Sequence, residues 1–144
     1  MKVTNNWDEQ NGTALTKISC NDGVIITGTA KVHPEDKDME NAYTGFNISG
    51  VRASISYFTK QIQDLKSRIK GLNHYKSILD QNPSVPKDGY EYKMLLKEMK
   101  FLDEEVREYT QIREQMRDEL RNYIKDKDRF YKRVRYVRNK GNNN

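Results

Sequence analysis

Side chains able to do covalent or acid–base chemistry are scarce in these 144 residues. There are two histidines, His33 and His74, and one cysteine, Cys20. The chain has no GxSxG turn, no glycine-rich phosphate loop followed by Lys and Ser/Thr, and no CxxC pair. His33 stands near Glu35, Asp36 and Asp38, but this spacing matches no strong metal signature. A loop for a hard cation needs more oxygens at fixed positions and a turn glycine. The segment reads instead as a solvated turn cornered by Pro34, with carboxylates capping the next helix. His74 falls on a helix flank between Asn73 and Tyr75, and Cys20 reads as a small strand residue. The expectation is a protein that is not an enzyme, with no catalytic residue, no metal ion and no cofactor.

Binding chemistry is better supplied. Residues 125–140 hold eight cations (Lys125, Lys127, Arg129, Lys132, Arg133, Arg135, Arg138 and Lys140) against Asp126 and Asp128. The formal charge of the whole chain is +5, so everything outside this stretch is close to neutral. Arg129 and Arg133 are four apart, hence on one helix face, and Tyr136 follows three later. Arginine can clamp phosphate through two parallel hydrogen bonds, and Phe130 or Tyr136 can stack on a base. Such a surface suits a phosphorylated nucleotide and equally a single-stranded nucleic acid. A cationic helix end also complements the helix dipole without any ligand. Arg107, Arg113, Arg117 and Arg121 form a further ladder, explained mostly by pairing with Glu104, Glu108, Glu114 and Asp118 within the helix.

The elements that must position these groups are legible from periodicity. Ile48, Val51, Ile55, Phe58, Ile62, Leu65, Ile69, Leu72, Lys76 and Leu79 alternate by three and four residues, which predicts a helix of about 32 residues with a narrow seam. Thr44, Asn47 and Ser49 are candidate caps at its start. Residues 82–89, with Pro83, Pro86 and Gly89, interrupt it. A second seam runs through Tyr92, Leu95, Met99, Leu102, Val106, Tyr109, Arg113, Met116, Leu120, Tyr123, Lys127, Phe130, Val134 and Val137. That predicts a helix from about 90 to 139, antiparallel to the first. Arg113 and Lys127 occupy seam positions where apolar residues belong, so each needs a carboxylate, a route to solvent or a ligand. Helix two outruns helix one at its basic end. Phe130, Val134 and Val137 therefore need a partner unless the N-terminal segment covers them, and a second copy of the chain is the economical one.

Before the helices, Leu15–Ser19 and Val24–Thr29 have strand composition, with Asn21–Asp22–Gly23 as a hairpin turn. Residues 1–12 read as a polar tail or edge segment. The fold class expected is α+β, mostly α. A small N-terminal antiparallel hairpin or sheet over 1–46 precedes a long helical hairpin over 47–139, and 140–144 form a disordered tail. Composition agrees: 35% hydrophobic and 33% charged is too polar for a compact enzyme core, but suits long helices joined along a seam. No apolar run reaches membrane-spanning length, no signal peptide is evident, and a lone cysteine points to a reducing cytosol.

The segment Thr27–Gly28–Thr29–Ala30–Lys31–Val32–His33–Pro34–Glu35–Asp36, followed by Gly45–Phe46–Asn47–Ile48–Ser49–Gly50–Val51–Arg52–Ala53, resembles a pattern recurring in small proteins of tailed bacteriophages. With the short sheet, the long helical hairpin and the chain length, it is similar to the first type of Thoeris anti-defence sponge family. That resemblance implies a non-enzymatic phage protein, working in the host bacterial cytoplasm as a dimer or higher homo-oligomer. It would bind a cyclic ADP-ribose isomer, an immune signalling nucleotide, and keep it from its effector without degrading it.

Such a ligand offers a pyrophosphate, an adenine face and ribose hydroxyls. Arg129 and Arg133 are the first choice for phosphate, Phe130 or Tyr136 for stacking and Asn122 for a hydroxyl. Arg113 in the seam and Arg52 at the start of helix one are further ligand-binding candidates. The proline loop 82–89 serves as a connector or as a lid. Two alternatives stand beside this reading: a nucleic-acid-binding protein acting through the basic C-terminal helix, and a coiled-coil structural or assembly factor.

Overall fold

A computed structural model describes residues 1–32 and 42–142. Three strands, β1 (Lys2–Asp8), β2 (Thr13–Ser19) and β3 (Ile25–Lys31), precede two helices, α1 (Ala42–Gln81) and α2 (Tyr90–Asn142). The α+β, mostly helical architecture expected from the sequence is present. The chain forms two compact units: Met1–Tyr57 with Glu114–Asn144, and Phe58–Arg113.

In the first unit the strands form an antiparallel meander in the order β1-β2-β3. The expected turn is confirmed in detail. Gly23 takes a positive φ of 86°, the Cys20 amide donates to the Val24 carbonyl at 2.9 Å, and the Val24 amide donates to the Asp22 carboxylate at 3.1 Å. The N-terminal segment read as a tail or edge is a full edge strand. Side chains alternate, so Ala14, Thr16 and Ile18 of β2 and Ile26, Gly28 and Ala30 of β3 are buried on one face.

The start of α1 lies on that face, and small residues make the close approach possible. A Cβ built at Gly28 would stand 2.2 Å from the Ser49 carbonyl oxygen and 2.3 Å from the Ala53 amide nitrogen. One built at Gly45 would stand 2.8 Å from the Ala14 Cβ and 2.9 Å from the Trp7 ring. Ser49 and Ala53 are fully buried, and Ser49 shares a 2.7 Å hydrogen bond with Thr16, whose hydroxyl also donates to the Asn5 side-chain oxygen at 2.8 Å. Gly28, Gly45, Ser49 and Ala53 all belong to the segments 27–36 and 45–53 whose pattern stood out in the sequence. In this chain the motif is a seating surface for a helix on a sheet. Because residues 42–47 also pack there, α1 begins before the first seam residue. Thr44, Asn47 and Ser49, read as candidate caps, lie inside the helix.

The seam of α2 changes phase in this unit. An α-helix has 3.6 residues per turn, so a stripe repeating every 3.5 drifts by about 20° per heptad. Five heptads beyond Tyr92 that amounts to about 100°, one residue. Leu120 and Ile124 pack on the Ala14, Ala30 and Ile48 cluster, and Tyr131 is only 5% exposed. Val134 is half-buried, whereas Phe130 and Val137 stay 60% and 67% exposed. The helix runs on through Asn142, past the expected start of a tail at 140. Residues 143 and 144 lie outside the described residues, as do His33, Glu35, Asp36 and Asp38.

In the second unit, α1 and α2 pack antiparallel through Leu79, Tyr92 and Leu95, joined by Leu72, Met99 and Val85 from the loop. Phe58 meets Tyr109 edge to face at 5.6 Å. Asn82 ends α1 by accepting the Ser84 amide at 3.0 Å. Tyr92 and Lys76 both bind Asp80, at 2.8 and 2.9 Å. The two hydrogen bonds, Lys76 first, hold the Asp80 carboxyl below its ordinary pKa, while Asp80 and Tyr92 raise that of Lys76. The loop 82–89 connects the two helices, with half-buried Val85 packed against the Leu79, Tyr92 and Leu95 cluster.

Candidate functional site

In the first unit a cavity of about 680 Å³ opens where the end of β3, the start of α1 and the basic stretch of α2 meet. That volume lies within the usual range for small-molecule sites. Its apolar floor is Ala30, Ile48 and Ile124, and its walls carry Lys31, Arg52, Lys127, Arg129, Lys132 and Arg135. Asp128 is the one carboxylate of the lining.

The elements place these groups in three ways. Lys31 is the last residue of β3, exposed where buried Ala30 before it faces the core, and it borders the cavity at the end of the strand. Arg52 sits one residue before Ala53 on α1, where its guanidinium donates to the Thr29 carbonyl at 2.8 Å. That bond uses one of five N–H donors and fixes the side chain across the end of β3. On α2, Lys127 is a seam position, while Ile124, Asp128 and Arg135 each stand one residue past a seam position (Tyr123, Lys127 and Val134), as the drifted stripe requires.

Lys127 resolves the seam question raised by its position. Its side chain is only 15% exposed, with Nζ 3.8 Å from an Asp128 oxygen and 5.3 Å from the centre of the Tyr131 ring. An aromatic face stabilises a partly desolvated ammonium. The ring beside this cation is itself buried, at 5% exposure, which leaves Lys127 positioned with little conformational freedom to lose on binding.

Of the residues singled out from the sequence, Arg129 and Arg52 line the cavity. Arg133, Phe130, Tyr136 and Asn122 are exposed and are not part of its lining. Phe130 and Tyr136, at 60% and 66% exposure, present rings to solvent. Arg113 belongs to the second unit, where it is half-buried and donates to the Thr59 hydroxyl at 3.5 Å. The arginine ladder behaves as expected at two rungs, Arg117–Glu114 at 2.7 Å and Arg121–Asp118 at 3.3 Å. Lys31, Lys132 and Arg135 escaped the sequence reading as ligand candidates. The drift of the α2 stripe is the signal for Arg135, one residue past Val134; no local pattern in the sequence marks Lys31 or Lys132.

The arrangement can hold an anion of two or more charges against an apolar surface. Six cationic side chains converge from three elements, and their hydrogen bonds to phosphate oxygens would be charge-assisted. The lining holds one carboxylate, Asp128, and no histidine, cysteine, serine or threonine side chain. His74 is exposed in the second unit. Among the described residues no group of three His, Cys, Asp or Glu is placed to hold a metal ion, and no helix is long and apolar enough to cross a membrane. Compared with known proteins, the chain matches no family model, no curated protein and no solved structure.

Proposed function

We propose that this chain binds a cyclic ADP-ribose-type signalling nucleotide in the cationic cavity and sequesters it without degrading it, as a phage anti-defence protein in the host bacterial cytoplasm. The observation that carries the reading is the convergence of Lys31, Arg52, Lys127, Arg129, Lys132 and Arg135 around an Ala30, Ile48 and Ile124 floor. A pyrophosphate would lie among the cations, with the less polar face of the nucleotide on the floor. The choice of cyclic ADP-ribose over other phosphorylated small molecules comes from the resemblance of residues 27–53 to phage proteins of this kind.

Thermal melting with each cyclic ADP-ribose isomer tests the proposal. At 100 times the dissociation constant a ligand of the folded state adds about 2.7 kcal/mol of stability. A shift with at least one isomer, and none with adenosine, is expected; identical melting with every isomer contradicts the reading.

A second reading has one observation in its favour. Phe130 and Tyr136 are exposed beside Arg129 and Arg133, a combination that stacks bases and neutralises phosphates along a single strand. Single-stranded DNA or RNA would then bind with affinity falling steeply as salt rises. An absence of binding at about 50 mM salt removes this alternative.

A further inference from the structure

The sheet has two outer strands, and they are not equivalent. On β3 the Thr29 carbonyl is engaged by Arg52, and the strand leads into the cavity wall at Lys31. β1 pairs with β2 on one side only, as the first strand in the order β1-β2-β3. Its seven residues keep an unbroken one-to-one register with β2, from Lys2↔Ser19 to Asp8↔Thr13. All of them except half-buried Trp7 are exposed. Edge strands are usually blunted by proline, a bulge or a charge in mid-strand. β1 has none of these, and its charges stand at its two ends.

The residues of β1 are complementary to themselves. Laid antiparallel about Asn5, the strand sets Lys2 opposite Asp8, Val3 opposite Trp7 and Thr4 opposite Asn6. These are an opposite-charge pair, an aliphatic–aromatic pair and a polar pair, each of a kind that stabilises neighbouring strands. The faces also agree. Val3 and Trp7 pair with Ile18 and Ala14 of β2, so they share the face on which α1 lies. Directly opposed residues point to the same side of an antiparallel sheet, so a register in which odd positions face odd positions keeps both helix-bearing faces together. Of the registers with that property, the one centred on Asn5 pairs all seven residues. Centring on Thr4 or Asn6 leaves two of them unpaired, and sets Lys2 against Asn6 or Thr4 against Asp8.

Val3 gives an independent reason. It lies on the helix-bearing face yet is 52% exposed. In the Asn5-centred register the partner's Trp7 stands across the strand from it. Asp8 already accepts from the Asn11 amide and side chain, at 3.1 and 2.7 Å.

We propose that β1 pairs antiparallel with β1 of a second copy of this chain, giving a continuous six-stranded sheet with a two-fold axis at Asn5. Such a contact is isologous and closes at two subunits. It stands apart from the ligand proposal and does not need the cavity to bind anything.

The test places a reporter on the axis. In a Cys20→Ser background, Asn5→Cys sets two thiols opposite each other, with Cβ atoms about 4.5–5.5 Å apart. Oxidation or a short bis-maleimide should yield a covalent dimer whose cross-link maps to residue 5 on both chains. Thr27→Cys, exposed on β3, should yield none under the same treatment. Trp7 fluorescence confirms that each variant is folded. A charge cycle fixes the register independently: Lys2→Asp should raise the dimer dissociation constant by about tenfold, and adding Asp8→Lys should restore it. A monomer throughout a sedimentation series overturns the proposal. So does a dimer without the residue-5 cross-link and indifferent to Lys2→Asp.

Discussion

Gly28→Ala is the most informative single substitution, because its cost can be worked from the packing. The added Cβ would sit 2.2 Å from the Ser49 oxygen and 2.3 Å from the Ala53 nitrogen, where ordinary contact begins at 3.4 Å. Both neighbours are backbone atoms of α1, so no side chain can swing aside. The helix and strand must separate locally by about 1 Å, and overpacking of this kind costs about 1–3 kcal/mol. The separation would also draw Ile48 and Arg52 away from Ala30 and Lys31, opening the cavity along one wall. Urea unfolding followed by the fluorescence of Trp7, the only tryptophan, reports on this unit directly. Gly50→Ala is the matched control on the same helix, since a Cβ there meets nothing within 4 Å. Alanine is the better helix former by about 1 kcal/mol, so that variant should gain stability. The expected pattern is therefore opposite signs at positions 28 and 50. Equal behaviour of the two variants would refute the close-packing account of the motif.

Charge placement around the cavity predicts that Arg129→Glu and Lys132→Glu each weaken nucleotide binding by tenfold or more, about 1.5–3 kcal/mol for a lost charge-assisted bond. Arg133→Glu, outside the lining, should leave isothermal titration nearly unchanged. Thr16→Val strands the buried Ser49 hydroxyl and should cost about 1–3 kcal/mol in the Trp7-monitored unfolding curve, with Ser49→Ala in the same chain recovering part of it. The Lys76–Asp80–Tyr92 contacts stabilise the second unit above the ordinary aspartate pKa of about 3.9 and below the ordinary lysine pKa of about 10.4. Asp80 is held low, so its contribution disappears as pH falls through its folded pKa. Lys76 is held high, so its contribution disappears as pH rises through its own. Amide protection factors near Asp80, which divide out the intrinsic pH dependence of exchange, should fall at both extremes and change little between them.

Periodicity and turn chemistry carried most of the fold. The Asn21–Asp22–Gly23 turn, the proline loop and the seam of α1 are local signals, and each appears where the pattern places it. Long-range packing accounts for the departures. α1 starts at Ala42 because Gly45 is seated on Ala14 and Trp7, a contact invisible to a capping rule. Residues 2–8 form a strand through pairing with β2, although Asn5, Asn6 and Asp8 are poor strand formers. The candidate site was legible only in part for a related reason. A strict heptad assigns Phe130 to the seam, whereas straight α-helical geometry buries Tyr131 and turns Arg135 to the cavity. The cationic character of the helix end was plain in the sequence. Which cations converge depended on a rotation of one residue and on Lys31 and Arg52 arriving from elsewhere in the chain.

Sequestration itself is tested most directly by recovering the ligand. The protein is incubated with a cyclic ADP-ribose isomer that shifts its melting, freed of unbound nucleotide, and denatured, and the released small molecule is weighed by mass spectrometry. An intact cyclic nucleotide in stoichiometric amount is expected, and far less from the Arg129→Glu, Lys132→Glu double variant. Release of a linear or cleaved product, or of equal amounts from wild type and double variant, would contradict it.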